Sequence, residues 1–327
     1  MPPAELRAIL RRVAVEGPER ARVDGVVVTP PPGAGGDAPV LDAFTGAVYQ
    51  ACYAGMPWPG DPAARAGRDL GPELAEANAG HDGWSPGWSF VRNDLEGRVV
   101  AQRGIRLRAA WPGHWVRADG VTGPLAPGAP LRMFEPAAPT VPVQPGFRFA
   151  YGHGGPDSER RRVRMYFNAA ATGAPELVRG LTRRLHDLEI PFALKVADRE
   201  DLAARRDCAV LWSETRQFRV VAALVRDVVE GLREPLADEV PPFTKRLGPG
   251  VGLAEDPSSG FSFGMERCAV LAEGLWEAAR EGARDEEARL AAVAAAFAAR
   301  DLDVERPWLA SRANPDRYEP FGQEARA

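Results

Sequence analysis

In RRVRMYFNA, residues 161–169, apolar and polar side chains alternate: Val163, Met165 and Phe167 fall on one side, Arg164, Tyr166 and Asn168 on the other. A period of two marks a strand buried on one face. FRFAYG, 147–152, alternates in the same way, and FALKVA, 192–197, and CAVLWSE, 208–214, read as two more strands. Between and after them the period lengthens. GAPELVRGLTRRLHDLE and RQFRVVAALVRDVVEGL read as helices. RCAVLAEGLWEAAREG and DEEARLAAVAAAFAARD add two apolar helices at the end, the second opening on acidic residues that complement its dipole.

Upstream the pattern differs. Residues 1–80 read as mainly helical, through PAELRAILRRVAVE and LDAFTGAVYQACYAG, separated by the flexible loop PPPGAGGDAP. From 84 to 135, GWSFVRND, the turn LEG and RVVAQRGIRLRA predict a hairpin, and HWVRADG and PLRMF add short strands. EPAAPTVPVQPG, 135–146, is extended and proline-rich, the best candidate for a junction. The layout predicts an α+β fold in which a mixed sheet flanked by helices (146–327) follows a smaller N-terminal helix and hairpin lobe (1–145), a candidate peptide-binding unit.

Composition narrows the function. A chain of 327 residues with 45% hydrophobic and 26% charged residues can bury a sizeable core. Its net charge of −4 argues against general binding to nucleic acid or anionic membrane, which call for a basic excess. No stretch approaches 18 apolar residues and the N-terminus lacks a long apolar run, so neither a membrane span nor a signal peptide is expected, and the expected location is the cytoplasm. Cys52, Cys208 and Cys268 lie far apart, and the four histidines are scattered. Neither a disulfide framework nor a metal site is expected, and no cofactor is called for.

One residue type stands out. Only Lys195 and Lys245 break the arginine habit, so 39 of the 41 basic residues are arginine. A lysine can give up its proton and act as a base; arginine cannot. Lys195 shares its strand face with Ala193 and Ala197, which leave room around the amine. Arginines converging on it would form an anion site and lower its pKa. That shift is needed, because from about 10.4 a neutral amine at pH 7 costs roughly 4.6 kcal/mol. Nucleotide-binding motifs are missing: GPGVGLAED lacks the order of a phosphate loop and follows Lys245. GFSFG fits a nucleophile elbow around Ser262, but AEDPSSG before it is no strand and every histidine precedes it.

The run VRMYFNAAATGAPELVRGLTRRLHDLEIPFALKVADREDLAARRDCAVLW, with VPPFTKRLGPGVGLAEDP and SFGMERC, resembles the HopA-type effector family, and through it the lyase component of class V lanthipeptide synthetases and thioamitide dehydratases. The resemblance spans roughly residues 145–300, with YQACYAG, ANAGHDGW and PGW as further pieces. It implies kinship in fold and chemistry with phosphothreonine lyases, which β-eliminate phosphate from a phosphorylated side chain. In that group a lysine takes the α-proton, arginines hold the phosphate, and a histidine two residues after a basic strand residue protonates the leaving group. By the resemblance, Lys195 matches the base, Arg164 the basic strand residue, and Arg206 and Arg216 the phosphate ligands. Tyr166 stands where the acid histidine would be, a departure from the family's pattern. Lys245 is read as a further phosphate ligand or a loop lysine.

These readings lead to a phospho-Ser/phospho-Thr lyase, a carbon–oxygen lyase acting on a ribosomally made precursor peptide to give dehydroalanine or dehydrobutyrine. Its expected partners are that peptide, a separate kinase-like protein and a cyclase. The alternative is a HopA-type protein that binds a peptide or protein partner without chemistry.

Overall fold

The computed structural model describes residues 3–17, 20–29, 37–58, 67–153, 160–257 and 262–322. Most of the loop PPPGAGGDAP and the residues just before Ser262 lie outside them. Helix α1 (Pro3–Arg12) leads into a three-stranded meander, β1 (Val13–Gly17), β2 (Arg20–Val23) and β3 (Val26–Val28). A mainly helical reading of residues 1–80 missed this sheet. Its signal is Asp24-Gly25, which joins Val23 to its partner Val26 with positive φ at both residues, the geometry of a type I′ turn.

Helix α2 (Asp37–Val48) runs straight into one π-helical turn, Tyr49–Tyr53, and α3 (Gly71–Ala77) follows. Strands β4 (Gly83–Asn93), β5 (Val99–Arg103), β6 (Arg106–Ala110), β7 (Trp115–Arg117) and β8 (Pro130–Glu135) form a five-stranded antiparallel sheet in the order β6-β5-β4-β8-β7. Its own small core contains Trp88, Phe90, Leu131 and Met133.

The largest sheet has seven strands: β9 (Val141–Gln144), β10 (Phe147–Tyr151), β11 (Arg162–Phe167), β12 (Ala193–Ala197), β13 (Ala209–Glu214), β14 (Lys245–Gly248) and β15 (Val251–Glu255). They lie in the order β14-β15-β11-β13-β12-β10-β9, each pair antiparallel. Alternation divides its two faces. Val163, Met165, Phe167, Leu194 and Leu211 point to one side, where α4 (Ala174–Asp187) and α6 (Phe218–Glu230) cover them. Leu177, Leu181 and Leu185 form the buried stripe of α4, and Val221, Val225 and Val228 that of α6. The short helix α5 (Glu200–Ala203) lies between β12 and β13.

Tyr166, Val210 and Ala254 point to the opposite face, into a second core with Phe263, Leu271 and Leu275 of α7 (Phe263–Arg280), Phe44 of α2, and Val293 and Phe297 of α8 (Glu286–Ala299). So α1 and α2 share a core with the last two helices, while the five-stranded sheet has another. Residues 1–145 therefore do not pack as one unit, and the expected boundary at 145/146 cuts across this arrangement.

Two buried charges fasten the end of the chain. Glu255 accepts hydrogen bonds from Tyr318 Oη (2.6 Å), Asn314 Nδ2 (2.6 Å) and the Ala310 amide (2.9 Å). Arg267, fully buried, pairs with Glu266 and donates to the carbonyls of Pro307 (2.8 Å) and Leu309 (3.0 Å). Three histidines meet at another joint: His186 at the end of α4 lies 4.7 Å from His153 and 5.3 Å from His81, ring centre to ring centre. Among the described residues no helix is long and apolar enough to cross a membrane.

Candidate active site

Antiparallel register sets Phe149, Lys195, Val210 and Tyr166 in one row across four adjacent strands. Cross-strand partners share a face, so all four point away from α4 and α6. Two residues along, Arg164 pairs with Trp212, and its guanidinium lies 5.4 Å from the indole centre. The helices of the second core cover part of this face and leave a cleft of about 240 Å³ above the rest, small enough to take one side chain. Lys195, Arg164, Tyr166 and Trp212 line it from the sheet, Tyr49 and Tyr53 from the π turn, Asp207 from the loop before β13, Gln144 from β9, and Ser262 and Gly264 from the start of α7.

Burial explains the state of Lys195. The half-buried amine lies 3.8 Å from the centre of the Phe147 ring and makes no ion pair among the described residues. Desolvation lowers its pKa to about 8; Asp207 opposes the shift, while Arg205 and Arg164 add to it. At pH 7 about a tenth of such amines are neutral.

Asp207 organises the other side of the cleft. It accepts from Tyr49 Oη at 3.0 Å and from Arg205 Nε and Nη2 at 2.8 and 2.9 Å, and Arg205 Nη2 also reaches Tyr49 Oη at 2.9 Å. Burial opposes the charge of Arg205, but Asp207 and Tyr49 more than offset it and raise the pKa. Arg164 is anchored similarly, through an ion pair to Asp256, which also meets Arg162 at 2.5 Å. Desolvation works against Arg164 as well, and Tyr166 and Asp256 outweigh it.

Tyr166 is 3% exposed, and its hydroxyl has no well-formed hydrogen bond, although Tyr53 and Arg164 lie within electrostatic reach. Burial, the largest influence, raises its pKa, so the phenol keeps its proton. The π turn stacks Tyr49 on Tyr53 at 5.2 Å, and Tyr53 meets Tyr166 edge to face at 6.4 Å. Gly264 makes this packing possible. A Cβ there would sit 2.5 Å from Tyr53 Cε1 and 2.8 Å from Tyr49 Cε2.

Of the residues singled out in the sequence, the cleft brings together Lys195, Tyr166 and Arg164. Arg206, Arg216 and Lys245 lie elsewhere. Arg206 faces the π turn, donating from Nη1 to the Cys52 carbonyl at 3.1 Å. Arg216, its side chain 63% exposed, pairs with Glu214 at 2.6 Å beyond the end of β13. Lys245 pairs with Asp316 at 2.7 Å, and its partner Leu253 belongs to the α4/α6 face. Asp207 and Tyr49, which line the cleft, and Arg205, which is bonded to both, were missed by the sequence reading. The available signal was the polar run RRD just ahead of a buried strand, but these residues lie in a turn, where strand parity does not predict direction. Ser262 is the N-cap of α7, accepting from the Met265 amide at 3.3 Å. All three cysteines are buried, and burial pushes the Cys52 thiol up to about 11 and Cys208 up to about 12. Among the described residues no cluster of His, Cys, Asp and Glu could hold a metal ion.

Comparison with known proteins gives the kinship. An effector protein structure from Pseudomonas syringae pv. tomato strain DC3000 matches at 19% identity over 50% of this chain and 63% of that one, with a TM-score of 0.42. One from Pseudomonas syringae pv. syringae strain 61 matches at 16% identity over 51% of this chain and 63% of that one, with a TM-score of 0.40. The chain thus spans less than two thirds of either effector. No curated protein matches it. The model of the HopA1 effector protein family matches residues 138–309, which include Arg164, Tyr166 and Lys195 and make up more than half of the sequence; the chain belongs to the HopA1 effector protein family.

Proposed function

We propose that this protein is a phosphate-eliminating carbon–oxygen lyase acting on phosphoserine or phosphothreonine in a precursor peptide that a separate kinase has phosphorylated. One observation carries the reading: the chain's lone cleft-facing lysine is desolvated to a pKa of about 8, beside a guanidinium and a protonated phenol. Neutral Lys195 Nζ takes the α-proton. The electrons of that C–H bond form the Cα=Cβ double bond, and the Cβ–O bond breaks to release phosphate. Arg164 stabilises the charge gathering on the phosphate oxygens, and Tyr166, which stands at the acid's position and keeps its proton, protonates the leaving group. The product is dehydroalanine or dehydrobutyrine.

The test is mass spectrometry of a precursor peptide. With the cognate kinase and ATP, each site should gain about 80 Da; adding this protein should then leave a net loss of about 18 Da relative to the unmodified peptide. A phosphorylated peptide that is bound but never eliminated would sink the lyase and favour the second reading, a HopA-type protein that docks a partner without chemistry. That reading has support of its own: Arg164 and Arg205 already hold carboxylate partners, so an incoming phosphate must compete with Asp256 and Asp207.

A further inference from the structure

A second cavity, of about 630 Å³, opens where β11 begins and β13 ends. Five arginines line it, Arg160, Arg161, Arg216, Arg219 and Arg317, against two carboxylates, Glu214 and Glu319. Five minus two leaves a local excess of three positive charges, in a chain whose net charge is −4. Among the described residues Glu214 is shared by Arg216, at 2.6 Å, and Arg160, at 3.8 Å, and Arg161 donates to the neutral Asn314 at 3.4 Å. Among the described residues Arg219 and Arg317 make no ion pair, and both are exposed. The apolar part of the lining is fixed, since Phe218 and Tyr318 pack edge to face at 4.9 Å and Glu255 holds the Tyr318 hydroxyl.

The cavity and the cleft share no lining residue, and Phe218 and Tyr318 belong to the core on the α4/α6 face, but β13 runs between the two sites. Val210, Trp212 and Glu214 share one face of β13; Val210 stands beside Lys195, and Glu214 beside Arg162. Four residues of strand span about 13 Å, and the arginines beyond Glu214 extend the path to about 20 Å, the reach of roughly four to six residues of extended peptide. Forked guanidinium groups suit phosphate and carboxylate oxygens.

We propose that this cavity binds a second anionic side chain, a phosphorylated or acidic residue, of an extended peptide whose reacting residue occupies the Lys195 cleft. The proposal rests on the lyase reading for what fills the cleft. It deepens that reading by making a multiply phosphorylated or acidic peptide the preferred substrate, held about five residues from the reacting position. A phosphate set there keeps the peptide in place while a neighbouring site reacts.

The experiment uses three labelled peptides of one amino-acid composition that differ in phosphorylation: one with a single phosphoserine, one with two phosphoserines five residues apart, and one with two placed two residues apart. Fluorescence anisotropy in a Lys195→Ala background measures binding without turnover. The widely spaced peptide should bind at least about tenfold tighter than the other two, the gain of one charge-assisted contact. Arg219→Glu with Arg317→Glu should collapse that gap to under about twofold, whereas Arg219→Lys with Arg317→Lys should keep most of it; thermal melts confirm that both variants fold. Equal affinity for all three peptides, or a gap that survives charge reversal, overturns the proposal. A single-stranded RNA of matched charge that displaces the widely spaced peptide and depends equally on Arg219 and Arg317 overturns the assignment to peptide. Mass loss with the Lys195-containing protein is read separately: no elimination from any peptide sinks the lyase reading, while the affinity gap still decides the cavity.

Discussion

The desolvation that fits Lys195 for the proposed chemistry comes at the expense of stability. The Lys195 pKa is about 10.4 in the unfolded chain and about 8 in the fold, so below pH 8 the fold must carry a charge that burial disfavours. Stability therefore rises with pH between about 8 and 10.4, and at neutral pH the buried ammonium costs on the order of 3 kcal/mol. Lys195→Met should raise the melting temperature at pH 7 and abolish elimination; an unchanged or lower melting temperature would mean that the amine is not strained. In the proposed lyase the same pKa sets the rate. Elimination should increase about tenfold from pH 6 to 7 and level off above about 8, as the neutral amine becomes the main form. Lys195→Arg should be inactive at every pH, since the guanidinium stays ionised. Tyr166→Phe should slow loss of phosphate more than loss of a better leaving group, and equal losses from both substrates would remove Tyr166 from proton transfer.

The π turn governs the cleft at the scale of one element. It sets Tyr49 and Tyr53 on the cleft wall, Arg206 caps its last carbonyls, and Gly264 lets α7 approach it. Arg206→Ala should therefore lower thermal stability by about 1 kcal/mol, a typical cost for one hydrogen bond, with the Michaelis constant little changed. A large rise in that constant with no loss of stability would instead mark Arg206 as a ligand. Gly264→Ala should be severe in both respects, because the ring edges of Tyr49 and Tyr53 must shift to admit a methyl group. Alternation made the sheet face legible: Arg164 and Tyr166 share it by parity, and Lys195 joins it through register. Helices α4 and α6 were equally plain, since each carries a continuous apolar stripe. The role of the π turn was not legible, because nothing in the apolar pattern of YQACYAG separates an i→i+5 turn from an α-helical one. Nor was the position of Arg205 and Asp207. They lie in a turn, and Asp207 gains its meaning from Tyr49, more than 150 residues earlier.

For the molecule as a whole, the histidine joint predicts a loss of stability in acid. Burial, then His153 and His81, lower the pKa of His186 to about 4, with Asp187 opposing. The unfolded chain binds that proton near pH 6.5 and the fold resists it, so stability is present above pH 6.5 and is lost as pH falls toward 4. The loss is on the order of 3 kcal/mol, and His186→Phe should flatten the melting curve's dependence on pH across this window. An identical slope in the variant would assign that loss to other groups. The shared core of α2 and α7 bears on how the protein is made. Phe44 packs 6.5 Å from Trp276, a residue that leaves the ribosome more than two hundred positions later. At about 5–20 residues per second that is a wait of roughly ten to forty-five seconds, during which the part of the first helices' apolar surface that α7 covers stays open. Synthesis of this chain thus carries its own window for aggregation, closed only when α7 emerges.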